Sequence, residues 1–328
     1  MDAVETNTFE GSLTKLDDHS WSEALESLCP LIHPVDQDAT RIWFAFWPLR
    51  LLRMIQKSDN IEQLERQLEL KGCYRLEEQL DSSVHFLFGS RYWPQIKEAV
   101  SSHAETSTSM EGSLADQIQA IARELASSLK IPDSHLIGIT AVALMALRQV
   151  GLEVLSASST QPVPPRSSPD QILRTRAKKG GGLLSFLRTV NSRYTVVVDE
   201  RDRAGFFKAI HGQDVSMASG ADTTDYRPKD PRCGQGPIPF QCRTGTCGTC
   251  WMGVLSGKER LSPVSDWERD RLQGFGYDFG SSDHETHPPI RLSCQAQCLG
   301  DLSVTVAPWN GILNVQRFDA DREPGSRD

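Results

Sequence analysis

The chain has 328 residues, 43 acidic against 35 basic, and a formal net charge of −8. That length holds two domains with cores of their own, and no basic face or aromatic-basic pattern supports nucleic-acid binding. Eight cysteines are too few for a disulfide-dense secreted framework, Met1–Thr6 is acidic with no apolar signal region, and no run reaches the ~18 apolar residues of a membrane span, so a soluble cytoplasmic protein is expected.

Residues 1–155 read as a mostly helical domain, and they carry the acidic surplus of the chain. Ser20-Trp-Ser-Glu23 has the spacing of a capping box. Trp21, Ala24, Leu25 and Leu28 follow at helical intervals up to Pro30. Asp38–Ile55 is the most hydrophobic segment, with Trp43, Phe44, Phe46 and Trp47 too close in sequence to share one helix face. It reads as a buried helix kinked near Pro48, the alternative being an aromatic face for a partner or a second cofactor. His33 beside it reads as a structural histidine rather than a ligand.

Asp59-Asn-Ile-Glu62 is a second capping-box pattern, with Gly72 as a C-terminal stop. Residues 83–100 fit either strand or helix, and the Ser/Thr-rich residues 102–112 read as a loop. Helices are expected over about 114–130 and about 135–150, the second packed closely on a neighbour through Gly138 and Ala141–Ala146. No Walker A loop and no G-x-G-x-x-G occurs here. Residues 156–182, rich in Ser, Pro, Gly and positive charge, read as a flexible linker and the domain boundary.

After the linker, Leu183–Val190 and Tyr194–Val198 read as a β-hairpin, and Phe206, Phe207 and Ile210 as a covering helix. Residues 212–238 form a long polar stretch containing Cys233, which has no ligand spacing. Then come Cys242, Cys247 and Cys250 in a C-x4-C-x2-C run among small residues, with Cys294 downstream in Arg291-Leu-Ser-Cys-Gln295. This spacing with a distant fourth Cys suits a [2Fe–2S] cluster. One loop can supply three thiolates only by curling tightly, and Gly245 and Gly248 permit positive φ there. The small Thr244, Thr246 and Thr249 let backbone N–H groups face a negatively charged cluster and tune it. A zinc site would use C-x2–4-C pairs; one pair fits at each end of the run, but the third thiol is left over.

Cys242-Arg-Thr-Gly-Thr-Cys-Gly-Thr-Cys250 resembles the C-R-x-G-x-C-G-x-C loop of plant- and bacterial-type [2Fe–2S] ferredoxin domains, and Arg291-Leu-Ser-Cys-Gln295 resembles their R-L-A-C-Q segment. The resemblance covers roughly residues 183–310. It implies a β-grasp fold, a [2Fe–2S] cofactor and four ligands, Cys242, Cys247, Cys250 and Cys294. Cys298, four residues on, could in principle replace Cys294, but the family places the ligand immediately before Gln295. Gly300–Val306 would be the closing strand, with Leu302, Val304 and Val306 on one face, and residues 314–328 a mobile tail.

The expected fold is therefore α+β: a helical domain (1–155), a linker (156–182), a ferredoxin-like β-grasp domain (183–313) and a tail. The resemblance implies a single-electron carrier of low potential, on the order of −400 mV, needing a reductase and an acceptor as protein partners because no flavin or nicotinamide motif accompanies it. The helical domain would dock it. The alternatives are a permanent iron–sulfur subunit of a larger complex and a cluster-dependent regulatory sensor.

Overall fold

The structure, a computed structural model, describes residues 8–46, 57–60, 63, 88–157, 167–177, 192–202, 204–228, 233–246, 249–274, 277 and 286–306. The described residues fall into two compact units, divided between Thr175 and Arg176, with residues 57–60 and 63 counted in the second.

The first unit is a helical bundle of α1 (Phe9–Lys15), α2 (Asp18–Leu28), α3 (Pro34–Phe46), α4 (Gly89–Thr106), α5 (Leu114–Leu129) and α6 (Ile137–Ala157). At its centre lies α6, contacted by all five others. Every residue from Ile137 to Leu147 is buried, which makes α6 a core helix even though its length and composition would also suit a membrane span. The first part of α6 matches the helix expected over about 135–150, and Arg148 near its end is held inward. The guanidinium turns in and donates to the Leu13 and Leu16 carbonyls at the end of α1 (3.1 and 3.0 Å), where the helix runs out of backbone donors. The break comes at Gly151, with φ 79° and ψ 165°. Close packing at Gly138 is confirmed: a Cβ there would come 2.5 Å from Thr40 Oγ1.

Several local expectations shift. Helix α2 starts earlier than Ser20, because Asp17 is its cap and accepts from the Ser20 N–H at 2.8 Å. In the second pattern Asn60, not Asp59, accepts from the Gln63 N–H (2.9 Å). Residues 89–106 are helix rather than strand, so the loop expected over 102–112 begins only at Ser107. A reciprocal capping box of Ser113 and Asp116 opens α5. Ile42 and Trp43 are buried, whereas Pro48 lies outside the described residues. His33 is structural, as expected: its ring meets Phe88 edge-on at 5.1 Å, and His135 stacks on the same Phe88 at 4.0 Å. Burial holds both imidazoles below their ordinary pKa. Within the stretch read as linker, residues 169–177 form a further helix, α7 (Pro169–Ala177), opened by Ser168 and Gln171 capping each other.

The second unit is built on a five-stranded mixed sheet of β1 (Arg193–Val197), β2 (Phe206–Ile210), β4 (Trp251–Ser256), β5 (Ile290–Leu292) and β7 (Leu302–Val306), in the order β2-β1-β7-β4-β5. Strands β1 and β7 are parallel, and the other neighbours are antiparallel. A second pair, β3 (Gln213–Asp214) with β6 (Gln297–Cys298), flanks it, with the short helix α8 (Val215–Gly220) after β3. Phe206–Ile210 is thus a strand, not the expected covering helix. Its residues alternate with period two: Phe207 and Ala209 enter the core, while Phe206, Lys208 and Ile210 face out. The hairpin partner of β1 is β2; Leu183–Val190 lies outside the described residues. Helix α8 contacts β2 and packs Val215 and Ala218 into the core. The predicted closing strand is β7, with Leu302 and Val304 in the core. Arg176 at the end of α7 holds Glu200 through two hydrogen bonds (2.8 and 2.6 Å), and Glu200 also accepts from the β7 residue Ser303.

Candidate metal centre

Pairing of β4 with β5 sets the geometry of the thiols. Trp251 is in register with Leu292, and the Ser293 N–H donates to the Cys250 carbonyl (2.9 Å). Cys250 just before β4 and Cys294 just after β5 therefore emerge side by side, both buried, with their sulfurs 3.2 Å apart.

The loop leading to Cys250 curls as the spacing requires. Gly245 has φ +81°, and Arg243, unexpectedly for a side chain of that size, φ +61°. The Arg243 guanidinium lies 5.0 Å from the Phe240 ring centroid, and Phe240 itself abuts Gly220, where a Cβ would come 2.8 Å from its ring. Cys242 is half-buried, and its sulfur accepts from the Thr244 N–H at 3.4 Å. Cys247 and Gly248 lie outside the described residues. Among the described residues no three Cys, His, Asp or Glu side chains gather as a metal-binding group; the two thiols brought together are Cys250 and Cys294.

Cys294 is held below the usual thiol range, chiefly by the hydrogen bond from Cys250 and also by donors from Gln295 and the Gly245 backbone, against desolvation and the nearby Cys242. Beside these thiols, the hydroxyls of Thr249 and Ser293 are buried with no hydrogen-bond partner among the described residues. Two juxtaposed soft donors, amide donors directed at sulfur and spare buried hydroxyls suit an anionic iron–sulfur cluster. Cys298 is placed differently. It sits in β6 within the apolar core, with its sulfur against the Gly300 carbonyl (3.2 Å) and its thiol pushed up to about 11 by burial. Cys233 is likewise buried, against the Pro237 carbonyl.

Sequence reading missed the helix that braces this centre, α9 (Asp266–Gly274). Glu268, fully buried, takes both Nε and Nη2 of the fully buried Arg291 (2.8 and 2.9 Å) and accepts the Leu292 N–H (2.7 Å). Arg291 also donates to the Ser262 carbonyl. Two positions before Cys294, the chain is thereby pinned to α9. From the same helix Trp267 Nε1 donates to the Thr244 carbonyl (3.1 Å) and Arg271 Nη2 to the Thr246 carbonyl (2.9 Å). The available signal was Ser265-Asp-Trp-Glu268, a capping-box spacing in which the Ser265 hydroxyl does accept the Glu268 N–H.

Comparison with known proteins agrees with the geometry. Residues 230–299 match the model of the 2Fe-2S iron-sulfur cluster binding domain family. A ferredoxin of Bacillus thermotolerans is 37% identical over 60 residues, which cover 18% of this chain and 41% of that ferredoxin. No solved structure matches. The C-terminal part of the chain is a [2Fe–2S] ferredoxin domain of β-grasp fold, preceded by a helical region outside that match.

Proposed function

We propose that Cys242, Cys247, Cys250 and Cys294 hold the [2Fe–2S] cluster of this iron–sulfur electron carrier, and that the helical region docks it onto a reductase and an acceptor in the cytoplasm. The observation that carries the ligand assignment is the 3.2 Å approach of Cys250 and Cys294 sulfurs from two paired strands. When bound, the cluster takes up and releases one electron at a time. The chain's own residues do the rest. Trp251, Met252 and Leu292, all buried, keep water from the inner side. The Thr244 backbone amide and the Gln295 side-chain amide supply donors to sulfur, and Arg291 with Glu268 fixes the approach of Cys294. On the outer side Arg243 and Thr244 are exposed and Cys242 is half-buried, so this loop is the face from which a partner approaches most closely.

Support for a carrier over a permanent subunit comes from Trp43. It belongs to the bundle's own core rather than to an uncovered aromatic face. In an anaerobic reductive titration the full chain should take up about one electron per cluster. NADH or NADPH alone should leave it oxidised, and an added ferredoxin reductase should reduce it. Reduction by a nicotinamide cofactor without any reductase would contradict the assignment.

A further inference from the structure

Trp267 and Arg271 lie one helical turn apart on α9 and reach carbonyls two residues apart in the cysteine loop. Thr244 is held at both ends. Its carbonyl accepts the Trp267 indole N–H at 3.1 Å, and its own N–H donates to the Cys242 sulfur at 3.4 Å. Its hydroxyl lies 3.1 Å from that of Thr246, whose carbonyl accepts Arg271 Nη2 at 2.9 Å. Gly245 between them is wedged in place: a Cβ there would come 3.0 Å from Trp267 Nε1 and 3.3 Å from Gln295 Cγ. Hydrogen bonds thus run without a gap from α9 through Thr244 to the Cys242 sulfur.

The two halves of the site are held by different means. Cys250 and Cys294 are buried, and the Glu268–Arg291 pair that fixes the approach to Cys294 is wholly out of water. Cys242 is half-buried, and Trp267, whose indole holds its loop, is 49% exposed and outside the apolar core. A hydrogen bond that water can replace contributes little net stability. The grip of α9 on the loop can therefore open locally while the fold around it stays intact. We propose that Trp267 and Arg271 are positioning residues that latch the Cys242–Thr246 loop and set the rate at which the chain gives up its iron. This rests on Cys242 being a ligand.

The test uses the full-length holoprotein and the variants W267L, R271M, R271K and W267L/R271M. Each is mixed anaerobically with excess iron chelator. Iron release is followed beside denaturant unfolding and tryptic cleavage after Arg243, an exposed residue inside the latched loop. W267L and R271M should each release iron about three- to tenfold faster than wild type, and the double variant faster than either. Cleavage after Arg243 should rise in the same order, with unfolding midpoints unchanged. R271K keeps a cationic donor and should release iron more slowly than R271M. Wild-type release and cleavage in the double variant overturn the proposal. Faster release matched by a lower unfolding midpoint also overturns it, by making the two side chains props of the fold, as does an R271K no slower than R271M. A variant that does not load is compared with wild type stripped of iron, and equal cleavage of the two overturns the latch. A wild-type chain without iron and sulfide is a separate outcome, one that defeats the reading of the site and the proposal with it.

Discussion

Glu268→Gln should unfold the cluster domain far more readily than any surface substitution, by about 3–5 kcal/mol. Glutamine keeps the shape of the side chain but removes the charge that faces Arg291, and both partners are wholly out of water. A guanidinium left buried without its counter-charge costs several kcal/mol, whereas replacing both ions by apolar groups of similar volume is often close to neutral. Arg291→Met combined with Glu268→Met should therefore regain most of the stability lost in Glu268→Gln. The double variant should still lose its cluster faster than wild type, because the Leu292 N–H loses its acceptor and the chain before Cys294 loses its anchor. Denaturant unfolding and iron-release rates measure the two effects separately. A Glu268→Gln protein within about 1 kcal/mol of wild type would show that the pair is not the tie described here.

Gly236→Ala should be similarly damaging for a different reason. Gly236 has φ +68°, where a Cβ is strained, and the added atom would overlap the backbone carbonyl of Ser219. Neither side is a flexible side chain that could move aside. The Ser219 hydroxyl also accepts the Ile238 N–H at 3.0 Å, so a shift would disturb the seat of the segment that enters the cysteine loop. A loss on the order of 3 kcal/mol or more is expected, seen as a lower unfolding midpoint of the full chain and a lower yield of cluster-containing protein. Gly234→Ala is the matched control. Nothing lies within 4 Å of its Cβ position and its φ is not in the left-handed region, so it should stay within about 0.5 kcal/mol. Equal behaviour of the two variants would remove the close-approach explanation.

What the sequence revealed was local, and what it hid was non-local. The thiol spacing and the Arg291–Gln295 segment point to the cluster because their meaning lies within a few residues, and Leu302–Val306 reads correctly because it alternates. Phe206–Ile210 carries no period in its sequence, two adjacent Phe being followed by Lys, Ala and Ile, and only pairing with β1 makes it a strand. Asp17 and Asn60 displaced the expected caps by three residues and one, since several polar residues near a helix start compete to be the acceptor. The start of α9 has a local signal in Ser265–Glu268, but the contacts by which it braces the site have none. Glu268 meets Arg291, and Trp267 meets Thr244, each across 23 residues, and no periodicity links them.

The most direct measurement is iron and acid-labile sulfide content with EPR of the dithionite-reduced chain, made on wild type and on single Cys→Ser variants. About two irons and two sulfides per chain with a rhombic S = ½ signal are expected. Signal and metal should be lost in the Ser variants of Cys242, Cys247, Cys250 and Cys294. They should be retained in Cys298→Ser, whose sulfur lies in the apolar core. Zinc without sulfide, or a cluster that survives Cys294→Ser but not Cys298→Ser, would contradict the account.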